Sequence, residues 1–189
     1  MTHEPVTVTL EFTPNPNTLK FVVNRKFLDK GAANFSEVGK ASVSPLAQKL
    51  FQIKGIAGVM IGTHFITITK ATEGDWDVIA DEVPKTVEAF ILGGSPFFSP
   101  EWSPESPVIA TGETAEIENK IREILDSEIR PAVAMDGGDI TFGRYEDGIV
   151  YLHLQGACSS CPSSVATLKM GVETRLKEVI PQIKEVVQV

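Results

Sequence analysis

The chain has 189 residues, of which 42% are hydrophobic, and a formal net charge of −8. This length suits one large or two small domains with buried cores. The acidic balance argues against nucleic acid or an anionic membrane as the main partner, because either needs a basic surface, and no apolar run approaches the roughly 18 residues that span a bilayer.

The N-terminal sequence MTHEPVTVTLEF has no basic region followed by an apolar stretch, so it does not resemble a secretory signal. It is not an Arg- and Ser-rich transit peptide either. We therefore predict a cytoplasmic protein of bacterial type, with a processed organellar protein as the other interpretation. The chain holds only two cysteines, which cannot form a disulfide framework.

Alternating apolar residues predict two strands within residues 5–24, around a turn in the sequence TPNPNT. Ser44 and Pro45 are typical of an N-cap and a first helical residue, and they predict a short helix that ends near Phe51. The sequence GVMIGTHFITITK then predicts a hairpin.

Asp75 predicts the cap of an amphipathic helix that is kinked or split at Pro84 and ends at Gly93-Gly94. With the preceding elements, this helix completes a predicted N-terminal domain, residues 1–95.

Residues 96–112 hold four prolines, at positions 96, 100, 104 and 107, and predict a semi-extended linker. Phe97, Phe98 and Trp102 are unusual in a free linker. The favoured interpretation is that Phe97 and Phe98 complete the core of the N-terminal domain, and the other is an exposed patch that docks a partner.

Residues 113–189 form a predicted second domain. A helix with apolar positions up to Ile129 precedes Pro131, a hairpin turns at Asp147-Gly148, a second helix runs from near Pro162 to Pro181, and IKEVVQV forms a last strand. The predicted fold class is therefore α/β of the α+β kind, with two small domains. Each domain is expected to have a short mixed sheet packed with helices, and a Pro-rich linker joins them.

The sequence GACSSCPSSV places both cysteines, Cys158 and Cys161, between the end of a predicted strand and the start of a predicted helix. The positive end of a helix dipole favours thiolate over thiol, and thiolate is both the nucleophile and the metal ligand. In a reducing compartment, this spacing is more typical of a metal or redox site than of inert cysteines.

Three functions fit such a pair. A dithiol oxidoreductase of the thioredoxin type needs more strands after its helix than the chain supplies beyond Cys161. A structural zinc needs four ligands, so it would have to lie between subunits of a client adaptor. A [4Fe–4S] cluster also takes four thiolates, which two copies of the chain supply. His153 is predicted to be a surface residue, and His3 and His64 belong to no motif.

Five segments, in both halves of the chain, carry a resemblance to a known family. MDGGDI (135–140) followed by LQGACSSCPSSVATLKMGVE (154–173) resembles the C-terminal domain of NifU and the Nfu iron–sulfur scaffold proteins. TPNPNTLKF (13–21), SPLAQKLFQIKGIAGVMIG (44–62) and FITITK (65–70) are similar to the Nfu N-terminal domain.

The resemblance implies a non-enzymatic scaffold or carrier that binds a [4Fe–4S] cluster, or alternatively a [2Fe–2S] cluster, at a homodimer interface. It implies Cys158 and Cys161 as the ligands, an upstream cluster donor, and client apoproteins that receive the cluster. It assigns no function to the N-terminal domain. The segment from Asp136 to Asp139 is interpreted as a turn, with a supporting or client-contacting role as the alternative.

Overall fold

The computed structural model describes residues 4–102, 112, 114–159 and 162–189, and their side chains except those of residues 162–165 and 167. The chain divides into two compact units, Met1–Pro104 and Glu105–Val189. The predicted α+β fold class is confirmed, because each unit combines helices with a separate sheet.

In the described part of the first unit, five strands form one sheet in the order β1-β2-β5-β4-β3. Their bounds are β1 Val8–Phe12, β2 Thr18–Val23, β3 Ala33–Phe35, β4 Ile56–Ile61 and β5 Phe65–Lys70. Every pairing among these described strands is antiparallel. The expectation of a mixed sheet is therefore wrong for this unit, since two of these pairs are hairpins, which can only be antiparallel.

The helices of this unit are a 3-10 helix, Val38–Val43, followed by α1 (Pro45–Phe51) and α2 (Trp76–Leu92). Both predicted caps are confirmed: the Ser44 side chain accepts a hydrogen bond from the backbone N–H of Ala47, and Asp75 caps α2 in the same way. Pro84 does not split α2, which continues through it as a single helix.

The core of the first unit lies between the sheet and these helices. Alternate residues of the central strands, such as Phe21 and Ile66, are fully buried together with Leu50 of α1 and Val83 of α2. This arrangement follows from period two in the strands and period 3.6 in the helices, which place the apolar side chains of each element on one face.

Phe97, Phe98 and Trp102 pack against the core of the first unit, as the favoured interpretation predicted for the two phenylalanines. The centroid of the Phe97 ring lies 4.8 Å from the centroid of the Phe27 ring. The backbone carbonyl oxygen of Phe97 accepts a hydrogen bond from the Ser44 hydroxyl. Within the predicted linker, this stretch therefore belongs to the first unit, while residues 103–111 and 113 lie outside the described residues.

The described part of the second unit contains a helical segment, a sheet and a long helix. Their bounds are α3 Ala115–Ile124, a π-helical turn Leu125–Ile129, α4 Arg130–Met135, β6 Gly138–Glu146, β7 Ile149–Gly156, α5 Pro162–Val179 and β8 Glu185–Gln188. In the described part of this unit the sheet order is β6-β7-β8, with an antiparallel and a parallel pairing, so the expected mixed sheet is found here.

The helical segment continues past Pro131, although the sequence predicted that it would end there. The backbone N–H of Arg130 donates to the carbonyl of Leu125, a π-type bond that widens the helix before the proline. Pro131 then falls in the first turn of α4, where a residue without an N–H is tolerated. The continuation carries the chain to Met135, immediately before the segment that contacts the cysteine loop.

The predicted turn between β6 and β7 is confirmed. Asp147 and Gly148 adopt φ values of 51° and 88°, as a type I′ hairpin turn requires. β8 then returns alongside β7, and α5 packs on the sheet through Val172 and Leu176. A two-pronged ion pair from Arg175 to Glu128, at 2.7 and 3.0 Å, joins α5 to the π-helical turn.

Candidate functional site

The cysteine loop follows β7 directly. Gly156 ends the strand with a φ of 62°, a left-handed conformation that suits glycine. The Ser159 hydroxyl donates a hydrogen bond of 2.8 Å back to the Gly156 carbonyl, which tightens the turn after the strand. The helix α5 begins at Pro162, as the sequence predicted. Cys161, the second predicted ligand, lies outside the described residues.

Cys158 is buried, with 6% of its surface exposed, and packs within the core of the second unit. Its Sγ lies against Gly138, the first residue of β6, in the space that a Cβ at this position would fill. Such a Cβ would also lie 3.1 Å from the Cβ of Cys158 and from the carbonyl oxygen of Gln155. The described conformation therefore turns this thiol inward and depends on glycine at position 138.

The segment from Asp136 to Asp139 forms the other side of the site. Gly137 adopts a φ of 77°, and its carbonyl accepts a 3.1 Å hydrogen bond from the backbone N–H of Ala157 in the cysteine loop. The predicted turn is confirmed for Asp136 and Gly137, whereas Gly138 and Asp139 already belong to β6. The contact with Ala157 places this turn directly against the loop. Asp136 is exposed at the end of α4.

Asp139 is 4% exposed and pairs with a side chain, not only with the turn backbone. Arg130 donates two hydrogen bonds to its carboxylate, at 2.9 and 2.8 Å, and a third to Asp126 at 2.9 Å. Burial alone would lower the pKa of Arg130, but hydrogen bonds and charge attraction from Asp139 and Asp126 outweigh it and raise that pKa. The guanidinium therefore remains charged and ties β6 to the start of α4.

This arginine was missed by the sequence analysis. Arg130 stands beside Pro131 in what the sequence predicted to be the end of a helix, and no local pattern connects it to Asp139. A buried aspartate does require a cationic partner. Only the path of the chain through the π-helical turn shows which residue supplies it.

The histidines do not join the site in the described residues. His153 is exposed on β7, and its Nδ1 lies 3.3 Å from the carbonyl oxygen of Val189, so the predicted surface position is confirmed. His64 is exposed in the first unit, and His3 lies outside the described residues. Across the described part of the chain, no group of three or more His, Cys, Asp or Glu side chains is arranged to hold a metal ion.

Two family descriptions match the chain. "NifU-like domain" covers residues 121–187, and "Scaffold protein Nfu/NifU N terminal" covers residues 8–94. Each match lies within one of the two compact units.

Curated relatives match across both units. The human protein "NFU1 iron-sulfur cluster scaffold homolog, mitochondrial" is 42% identical over 178 residues, which are 94% of this chain and 69% of the human protein. The proteins of the same name from Drosophila grimshawi and Drosophila persimilis are 43% and 42% identical, again over 94% of this chain, and the match covers 59% and 63% of their length. The chain thus spans about 60 to 70% of the length of these relatives.

Solved structures match one part of the chain at a time. A solution structure of a NifU-like protein from Saccharomyces cerevisiae is 25% identical, with a TM-score of 0.47 over 53% of this chain and 91% of that one. A crystal structure of SAV1430 from Staphylococcus aureus is 16% identical, with a TM-score of 0.39 over 45% of this chain and 100% of that one. Both TM-scores are below 0.5, so the family assignment depends on the sequence matches.

Fold and loop together define a class: a two-unit α+β protein whose second unit carries a pair of cysteines after a strand. The sequence matches then identify the family. The chain belongs to the Nfu family of iron–sulfur cluster scaffold proteins, which confirms the resemblance found in its sequence. Among the described residues, no helix combines the length and the apolar character that a membrane span requires.

Proposed function

We propose that this chain binds a [4Fe–4S] cluster through Cys158 and Cys161 and passes it to client apoproteins. The observation that carries the proposal is the position of Cys158, in the turn between β7 and α5 with a second cysteine three residues further along the chain. Gly156 and Ala157, which precede this cysteine, are small, so the loop places no bulky side chain before Cys158 that would obstruct an inorganic group once the thiol turns outward. Thiolate is the ligand that iron–sulfur clusters require.

The proposed cluster is shared by two copies of the chain. Two thiolates per chain against four per cluster leave half of the ligands to a partner, and a two-fold axis through the cluster is the simplest closed arrangement. A [2Fe–2S] cluster held by the same four thiolates is the alternative. Because the cluster binds the paired form, it stabilises the homodimer by mass action.

The proposed role is that of a carrier and not of an enzyme. A cluster held by short loops between subunits is accessible to another protein, so an upstream donor can deliver it and a client apoprotein can remove it. The family membership supports this role, since the relatives are named as scaffolds. Those relatives are also named as mitochondrial, while the cytoplasmic location predicted from the N-terminal sequence remains a proposal.

Serine substitution of each cysteine tests the ligand assignment. Cys158→Ser and Cys161→Ser remove one thiolate each with little change of volume. Gly171→Ala on α5, where a Cβ meets no atom within 4 Å, is a control outside the loop. After anaerobic reconstitution with iron and sulfide, the wild type and this control should carry about four irons per two chains and run as dimers by light scattering. Both serine variants should lose the visible absorption while their circular dichroism stays unchanged.

Full iron content in either serine variant would contradict the ligand assignment, and a monomer with four irons per chain would contradict the shared cluster. The same preparation separates the other interpretations. A colourless protein that contains zinc would favour the client adaptor, and a metal-free protein that turns over a disulfide would favour the oxidoreductase.

A further inference from the structure

Gly138 and Cys158 form a contact that no other residue type at position 138 permits. Gly138 pairs with Gly156 across β6 and β7, so it lies beneath the turn that carries the cysteine. The Sγ atom occupies the place where a side chain would leave the Cα of residue 138. An alanine there would overlap the sulfur atom, and the sulfur would have to move, because the adjacent Gln155 carbonyl is held by the strand.

The position of the Cys158 thiol against Gly138 is buried and is fixed by hydrogen bonds on both sides. Cys158 is 6% exposed and belongs to the apolar core of the second unit. The hydrogen bond from Ala157 to Gly137 fixes the start of the cysteine loop next to Cys158, and the pair of Arg130 and Asp139 fixes the strand that begins at Gly138. A thiol in this position reaches neither a solvent reagent nor a cluster, so it must leave before it can bind one.

We propose that Gly138 is a positioning residue that seats the Cys158 thiol when the cluster is absent and thereby favours cluster release. In the closed form of the loop the Cys158 thiol lies against Gly138, and in the open form it has turned outward. This contact, which we call the seat, stabilises the closed form, and the cluster binds only the open form. The apparent affinity for the cluster is therefore reduced by the fraction of chains that are open. The release step rests on the proposed function, whereas the sheltering of the thiol does not.

Thiol reactivity in the cluster-free protein tests the seat directly. Cys161→Ser provides a background with a single cysteine, whose reaction with an aromatic disulfide reagent is followed by absorbance at fixed pH. The second variant adds Gly138→Ala to this background. The matched control adds Gly171→Ala, the same substitution on α5, where a Cβ meets no atom within 4 Å.

In the background protein, Cys158 should react at least about tenfold more slowly than in the same protein unfolded in denaturant, because the reagent must wait for local opening. Gly138→Ala should raise the rate at least severalfold toward the unfolded value, and Gly171→Ala should leave it unchanged. Circular dichroism reports whether each variant is folded. A native rate close to the unfolded rate overturns the seat, as does a folded Gly138→Ala variant that reacts no faster. If Gly138→Ala fails to fold, the comparison of native and unfolded background protein decides alone.

Cluster release is then compared in chains that retain both cysteines. After reconstitution and equilibration with the same concentrations of an iron chelator, the Gly138→Ala protein should need severalfold more chelator to lose half of its visible absorption than the Gly171→Ala protein, because more of its chains are open. An equal or lower chelator requirement overturns the release step. If none of the proteins takes up a cluster, the proposed function fails, and the thiol rates still decide whether the seat exists.

Discussion

Asp139 shows at the scale of single residues how a charge is kept inside the second unit. A buried carboxylate is costly unless hydrogen bonds and an opposite charge compensate it, and Arg130 supplies both through two parallel hydrogen bonds. The same guanidinium reaches Asp126 one turn earlier in the helical segment. The pair thus fixes the strand that begins with Gly138, which is the residue that the Cys158 thiol lies against.

Arg130→Met is expected to destabilise the second unit by about 3 to 5 kcal/mol, because it leaves the Asp139 carboxylate buried without its cation. Lys120→Met is the control, since Lys120 forms an exposed ion pair with Glu123 that is worth about 0 to 1 kcal/mol. Urea unfolding of the full chain measures both values. Similar losses in the two variants would show that the buried pair has no special weight.

The loss in Arg130→Met should also shrink as the pH falls through the carboxylate range. An unpaired buried carboxyl has its pKa raised in the folded state, so protonation removes the buried charge and favours folding. A loss that stays constant between neutral and acidic pH would indicate that Arg130 acts through packing and not through its charge.

At the scale of elements, the stretch after α2, residues 97–102, packs on the first unit and is not part of a free linker. Proline denies this stretch regular hydrogen bonds, yet its aromatic residues still bury surface against the first unit. Phe97 contacts the rings of both Phe27 and Phe90, and Phe98 stacks on Trp102 at 4.0 Å. The chain therefore leaves the first unit only after these contacts are made.

Phe97→Ala should lower the stability of the first unit by about 1 to 3 kcal/mol, less than the 3 to 5 kcal/mol typical of a fully buried phenylalanine because this ring is half-buried. Phe12→Ala is the matched control, since the Phe12 side chain at the end of β1 is 86% exposed. Thermal or urea unfolding followed by tryptophan fluorescence compares the two. Equal effects would place residues 97–102 outside the cooperative unit.

At the scale of the whole molecule, the two units have separate cores. Leu50 is fully buried in the first core and Leu176 in the second, and the described core residues divide into two clusters. Trp76 and Trp102 both belong to the first unit, and the two tyrosines, Tyr145 and Tyr151, both belong to the second. Each unit therefore carries its own spectroscopic reporter.

Leu50→Ala and Leu176→Ala should each cost about 2 to 5 kcal/mol, but in different transitions. Leu50→Ala should shift the unfolding seen by tryptophan fluorescence and leave iron binding unchanged. Leu176→Ala should shift the unfolding seen by tyrosine absorbance and weaken iron binding. If either variant shifts both transitions equally, the chain unfolds as one cooperative body and residues 113–189 do not form the independent domain that we propose.

The sequence alone determined the features that depend on neighbouring residues. The caps at Ser44 and Asp75 and the turn at Asp147-Gly148 were predicted correctly because their signals lie within a few positions of the structure they specify. The spacing of the cysteines and the resemblance around them were likewise sufficient to predict the family. The ligand role of Cys158 and Cys161 stays a prediction.

Only the tertiary structure decided what depends on residues far apart in the chain. The pairings of β2 with β5 and of β3 with β4, the passage of the helical segment beyond Pro131 and the partnership of Arg130 with Asp139 have no local signature. The inward position of Cys158 against Gly138 belongs to the same group. The physical reason is that close packing selects among the conformations that local preferences allow, and which atoms then meet depends on the complete path of the chain.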